Sequence, residues 1–212
     1  MPAAGSDLES LLSRGLTELG IEASASQVRA FSRLTRLLVA WAGRINLTAH
    51  RQPEAIVRRL VLDAAALGQL LPDFSSLADL GSGAGFPGLP IAILRPEARV
   101  ILVESRERRH HFQRMIRRDL GLTNVSLLRG RIEDLPPDPC DCVVAQAVAP
   151  PDQVLEWMMP WVAAGGAAVI PSGDRPPHLG PHPAIEGSRV LRYRVPLNGP
   201  ERTLWLGRRR AG

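Results

Sequence analysis

The sequence predicts an α/β protein in which a mostly parallel, doubly wound sheet follows an N-terminal helical segment. Three observations carry that expectation. Short apolar runs recur at residues 77–80, 100–103, 125–128, 142–145 and 167–170, the texture of strands buried on both faces. Between them, helix-length stretches at 89–94, 107–120 and 152–162 supply the crossovers that parallel strands need. Ahead of them, apolar residues recur at helical spacing, with no strand-like alternation.

In order along the chain, Leu8, Leu11, Leu12 and Leu16 mark one amphipathic helix, and Val28, Phe31, Leu34, Leu37 and Leu38 a second. Ser24 or Ser26 can cap the second, and Gly43 is placed to stop it. Asn46-Leu47-Thr48-Ala49 reads as a polar turn; a further helical stretch runs from Pro53 to Leu71 and ends at Pro72. The strand–helix alternation then takes over. After Gly173 a Pro- and His-rich loop, residues 174–183, leads into two alternating runs at 189–195 and 203–206, which read as a closing hairpin. Arg208-Arg209-Arg210 reads as a flexible tail adding nonspecific attraction for polyanions. Length predicts one compact domain, with segment 1–72 packed on a core of residues 73–212.

Hydrophobic residues make up 45% and charged residues 22% of the 212-residue chain, a globular balance far from that of disordered segments. No apolar run approaches the roughly 20 residues that span a bilayer, and the N-terminus, with Asp7 and Glu9, lacks the pattern of a secretory signal. Cys140 and Cys142 are the only cysteines and are poorly placed to bridge each other. A cytoplasmic monomer is the working expectation. The formal net charge is +5, and every basic residue is arginine, because the chain has no lysine. That excludes lysine Schiff-base chemistry and suits phosphate recognition, although codon usage in a GC-rich genome explains the same bias.

The most informative segment is Ala78-Asp79-Leu80-Gly81-Ser82-Gly83-Ala84-Gly85-Phe86-Pro87-Gly88, a strand-to-helix turn. Gly83-x-Gly85-x-x-Gly88 satisfies the dinucleotide formula, but the first glycine at the strand end is Gly81, and the sixth position counted from it is Phe86. The register fails for a pyrophosphate. It fits S-adenosyl-L-methionine (AdoMet): Asp79 at the strand end helps balance the ligand's ammonium, and helix N–H groups receive its carboxylate. Glu104 closes the next strand about twenty residues after the loop, the distance at which such folds hold ribose hydroxyls with a carboxylate. After the third strand, Ile132 and Glu133 are placed to receive the adenine. The candidate cofactor residues are therefore Asp79, Gly81, Gly83, Gly85, Phe86, Glu104, Ile132 and Glu133, on a Rossmann-like methyltransferase fold with an N-terminal helical extension.

With this loop, Asn46-Leu47-Thr48 and Gly130-Arg131-Ile132-Glu133, residues 37–173 resemble the 16S ribosomal RNA guanine-N7 methyltransferase family, also called glucose-inhibited division protein B. The resemblance implies AdoMet contacts at Gly81, Phe86, Ile132 and Glu133, a ribose site at Glu104-Ser105, and small-subunit rRNA as acceptor. Gln146 is a further cofactor-side candidate, standing where the family carries an arginine. Leu60, Ala64 and Ser172 depart from the family in the same way, each replacing a polar residue. Arg51, Arg59, Arg108 and Arg109 are candidate RNA contacts.

Guanine N7 offers an unprotonated lone pair at neutral pH, so transfer to it needs alignment and no general base. The chain lacks the Asn/Asp-Pro-Pro-Tyr segment of amino-group methyltransferases, and Cys140 precedes the fourth strand, which favours a structural thiol over a nucleophile. His110 and His111 are adjacent on a helix, so they diverge by about 100° and do not share a metal; none is expected. The arginines of residues 106–118 are open to two readings, a salt-bridged surface or a phosphate track. A small-molecule or protein acceptor, or a silent RNA-binding factor, remains an alternative to rRNA methylation.

Overall fold

The computed structural model describes residues 4–211. Two helices, α1 (Ala4–Glu18) and α2 (Ala25–Ala42), are followed by a short α3 (Pro53–Ile56), a π-helical turn at Val57–Val61, and α4 (Leu62–Gly68). Ser24 caps α2 in a reciprocal box: its hydroxyl accepts from Gln27 N at 3.2 Å, and Gln27 Oε1 accepts from Ser24 N at 2.8 Å. Gln27 also donates to Ile93 O at 2.9 Å, so the cap that starts α2 ties it to the sheet's first crossover helix.

The remaining elements are β1 (Ser76–Leu80), α5 (Gly88–Leu94), β2 (Arg99–Glu104), α6 (Glu107–Asp119), β3 (Val125–Arg129), β4 (Cys140–Ala145), α7 (Pro151–Met158), β5 (Val162–Ser172), β6 (Ile185–Arg194) and β7 (Glu201–Arg209). They form one seven-stranded sheet in the order β3-β2-β1-β4-β5-β7-β6. β1 to β5 are parallel, and β7 pairs antiparallel with both β5 and β6. The order reverses beside β1, between β2 and β4, and in open α/β sheets ligands bind at such a switch point.

Two apolar layers sandwich the sheet. One joins Leu12, Phe31 and Leu38 of the N-terminal helices to Leu77, Val100, Leu102, Phe112 and Val169 in a single cluster. The other packs Ala78, Leu80, Ile101 and Val143 against Leu155, Met158 and Trp161. No helix among the described residues is long and apolar enough to cross a membrane.

Two local expectations need correction, and a third observation concerns the cysteines. Helix 152–162 stops earlier: α7 ends at Met158, a 3-10 turn spans Met159–Trp161 around Pro160, and the next strand begins at Val162. Arg208 and Arg209 belong to β7 and form no tail; Arg209 donates to Met159 O at 2.8 Å and to Val162 O, and Arg210 N donates to Ala184 O at 2.9 Å. Regular alternation would set Cys140 and Cys142 on one face, yet they fall in opposite layers because the strand is irregular between them. There Asp141 turns to Ser75 and Ser76, accepting from both backbone N–H groups at 2.9 Å. Both thiols are free and buried.

Candidate functional site

The site is built at the carboxyl ends of β1, β2 and β4. The chain leaving β1 is pinned at once to its neighbour, because Gly81 N and Ser82 N both donate to Val103 O at 2.9 Å. Gly85 N and Phe86 N then return to Ser82 O at 2.7 and 3.0 Å, closing a tight loop. Gly81 and Gly83 hold φ of 73° and 58°, and a β-carbon on Gly81 would lie 2.6 Å from Val148 Cγ2. The cleft side of Gly83 is open: a β-carbon there would meet only Arg109 Nη1, at 3.9 Å.

Gln113 fixes the loop from below. Its Nε2 donates to Ser82 Oγ and to Gly83 O, both at 2.8 Å, while Ser82 Oγ donates to Val103 O at 3.1 Å. Gln113 is fully buried, and its Oε1 has no partner. Sequence reading missed this residue, because a glutamine inside an arginine-rich helix looks like one more solvated side chain. Its only signal is helical phase, one turn after Arg109 and beside the apolar Phe112.

Asp79 and Glu104 are both buried, at 1% and 4% exposure. Asp79 Oδ2 accepts from Gly88 N at 2.8 Å, so the first N–H of α5 is engaged internally, which corrects the expectation that it awaits a ligand carboxylate. Burial pushes the Asp79 carboxyl up to about 7; the Gly88 N–H pulls the other way and the nearby Glu104 adds to the rise. Glu104 Oε1 accepts from Arg106 N at 2.7 Å, and its Oε2 lies 4.0 Å from Arg109 Nη1. Arg109 also donates to Asn46 O at 3.3 Å, so its guanidinium spans the cleft mouth from the Asn46 turn to the strand-end acid.

The other expected residues fall around this cleft. Gly85 and Phe86 complete the loop. Ile132 is 7% exposed and packs in the layer of Leu80 and Val103, whereas Glu133 is exposed and pairs with Arg131 at 3.3 Å. Gln146, exposed just beyond β4, lies with Arg59, Asp63, Phe86 and Tyr193 around a small pocket of about 40 Å³. Gln146 thus shares a pocket with Phe86 of the glycine loop. In the pocket wall Tyr193 Oη donates to Asp63 Oδ1 at 2.8 Å, and Arg202 Nε to Asp63 Oδ2 at 3.2 Å. Burial raises the Asp63 carboxyl despite these two partners. Tyr193 is the chain's single tyrosine, and it and Arg202 were missed because strand periodicity does not reveal a partner 130 residues away.

Arg51 is exposed and donates to Ala42 O, while Arg108 is exposed at the start of α6. Arg109 reaches from Glu104 to Asn46, Arg59 lines the small pocket, and Arg51 lies at the end of α2. Cys140 and Cys142 stand apart from the cleft; burial pushes the Cys140 thiol up to about 11 and Cys142 higher still. Among the described residues no group of three or more His, Cys, Asp or Glu is arranged to hold a metal ion.

The model of the GidB family, rRNA small subunit methyltransferase G, matches residues 27–177. The chain belongs to that family. It is similar to the ribosomal RNA small subunit methyltransferase G of Desulfitobacterium hafniense (strain Y51), 38% identical over 74% of this chain and 67% of the relative. The methyltransferase G of Methylococcus capsulatus is 35% identical over 92% of this chain and 95% of that one. Solved structures share the Rossmann-like methyltransferase fold: a putative O-methyltransferase from Klebsiella pneumoniae has a TM-score of 0.55 at 16% identity, covering 95% of this chain and 97% of its own. M. jannaschii TYW2 in complex with AdoMet gives a TM-score of 0.53 at 11% identity, over 70% of this chain and 74% of that one. Within the GidB family match lie the glycine loop, both strand-end acids, Gln113, Asp63 and Gln146; Tyr193 and Arg202 lie beyond it.

Proposed function

We propose that this protein transfers a methyl group from AdoMet to N7 of a guanine in 16S small-subunit rRNA, as a cytoplasmic monomer. The observation that carries the reading is the loop at Gly81–Phe86 held between two buried strand-end acids, in a chain of the methyltransferase G family. The residues present fit the cofactor. Glu104 Oε2, with one oxygen already committed to Arg106, suits ribose hydroxyls; Asp79 contributes negative charge beneath the ligand's ammonium; Gly81, Gly83 and Gly85 let the backbone approach closely. Ile132 offers an apolar wall and Glu133 a polar edge for the adenine.

AdoMet supplies an electrophilic methyl group when bound. The chain's own part is alignment and exclusion of water, because N7 carries its lone pair without prior loss of a proton. Phe86 and Gln146 both line the Asp63–Tyr193 pocket, which in this reading lies on the acceptor side. Arg51, Arg59 and Arg108 are exposed and suited to phosphates, with Arg109 at the boundary.

The test is incubation of the purified protein with labelled AdoMet and undermethylated small ribosomal subunits, beside Gly81→Arg. Label at guanine N7, mapped by aniline cleavage after borohydride reduction, is expected only with the intact loop. Measurable AdoMet binding without label in rRNA overturns the reading and points to another acceptor or a silent factor.

A further inference from the structure

Helix α6 presents a second face that the cofactor cleft does not use. Arg109 and Gln113 turn toward the glycine loop, while a groove of about 600 Å³ runs along the other side, lined by Trp41, His111, Arg114, Met115 and Arg118 down to Leu122. The acids of α6 are already engaged: Glu107 pairs with Arg129 at 3.2 Å and Asp119 with Arg33 at 2.8 Å. No carboxylate lines the groove, and among the described residues Arg114, Arg117 and Arg118 have none within salt-bridge distance. Trp41 packs one part of its indole on Phe112 and His111, with ring centroids 6.1 Å apart in each case, and offers another part to the groove. An arginine row beside an aromatic face is the combination that holds unpaired nucleotides, phosphates on the charges and bases against the ring. A duplex would use the charges and leave the ring idle.

We propose that this groove binds an unpaired stretch of the RNA substrate flanking the target base, with a base on Trp41 and Met115 and the backbone on Arg114, Arg117 and Arg118. The proposal rests on the rRNA methyltransferase reading and extends it to a second binding surface outside the cofactor cleft. Stacking and phosphate pairing are both tolerant of sequence, so the groove anchors the strand and leaves the choice of guanine to the cleft.

The experiment measures binding of a fluorescein-labelled single-stranded RNA of about 12 nucleotides, against the same RNA as a blunt duplex, across a salt series. Wild type is expected to prefer the single strand. The double variant Arg114→Glu/Arg118→Glu should weaken single-strand binding at least tenfold and flatten the salt slope by roughly 1.4, about 0.7 for each phosphate no longer neutralised, with AdoMet affinity unchanged. Trp41→Phe, which keeps an aromatic ring in a partly buried position, should bind nearly as wild type, while Trp41→Leu should weaken binding about tenfold. Unchanged RNA affinity and salt slope in the arginine variant overturn the proposal. Equal displacement of the RNA by polyglutamate of matched charge also overturns it, since the groove would then be a general anion surface. Methyl transfer to small subunits is read in parallel: its absence in wild type refutes the rRNA reading, whereas its presence with unaltered KM in the arginine variant refutes the groove alone.

Discussion

Replacing Asp79 with asparagine separates the structural cost of this buried acid from its use. Burial moves its carboxyl from 3.8 to about 7, with the Gly88 N–H partly offsetting and Glu104 reinforcing the rise. The folded state therefore holds a proton that the unfolded chain has released over the window from roughly pH 4 to 7. Because the native state binds more protons there, stability falls as pH rises through that window, and above it the charged form costs about 4 kcal/mol. Asparagine keeps an oxygen for Gly88 N and does not titrate. Urea unfolding of wild type and Asp79→Asn at pH 4.5 and pH 8.5 should show similar stability at the lower pH and an advantage for the variant of up to about 4 kcal/mol at the higher. The same variant tests the use of the charge: AdoMet is a cation at its sulfonium and, below its amino group's pKa of about 8, at its ammonium, so wild-type affinity relative to the variant's, a ratio in which the ligand's own titration cancels, should rise severalfold from pH 6 to 8. A stability difference independent of pH would refute the titration argument. A ratio of the two AdoMet affinities that does not change with pH would refute a role for the Asp79 charge in binding.

Gly81→Ala should cost about 1–3 kcal/mol and weaken AdoMet binding, through its positive φ and the clash with Val148; Val148→Ala in the same chain should recover the steric part only, as a double-mutant cycle in thermal melts would show. Gln113→Leu removes two hydrogen bonds from the loop and should lower AdoMet affinity about tenfold by calorimetry, with far-UV circular dichroism unchanged. Tyr193→Phe should cost about 1 kcal/mol in denaturant unfolding and raise the Asp63 carboxyl further, because the phenol donates to it. The shared cluster of N-terminal and sheet residues leads us to expect a single calorimetric transition, with van't Hoff and calorimetric enthalpies equal; two transitions would mean that segment 1–72 folds apart from the core.

The parallel strands were readable because burial on both faces leaves apolar runs, and the acids because they break that pattern at the carboxyl end: Glu104 closes its run, and Asp79 interrupts one a residue before its last member, Leu80. What escaped depends on partners distant in the chain. That Asp79 turns to Gly88, that Gln113 reaches under the loop, and that Tyr193 and Arg202 converge on Asp63 are consequences of packing, with no local periodicity to announce them. β5 begins five residues earlier than its apolar run because Gly165 and Gly166 carry an irregular stretch of backbone, and glycines read from sequence as a loop. The arginine triplet looked like a tail for the same reason: charge suggests solvent, whereas Arg209 spends its guanidinium on two carbonyls.

The two cysteines are buried on opposite sides of the sheet, and both thiols resist ionisation. Thiol reagents attack the thiolate, so the native fold should be nearly silent to maleimides at neutral pH. A cysteine placed at Arg118 or at Gln146 would then be the sole reactive handle on the molecule. The protein is already suited to carrying a label at a chosen point, with no native cysteine removed, and labelling both positions makes the distance from the α6 groove to the Asp63–Tyr193 pocket directly measurable.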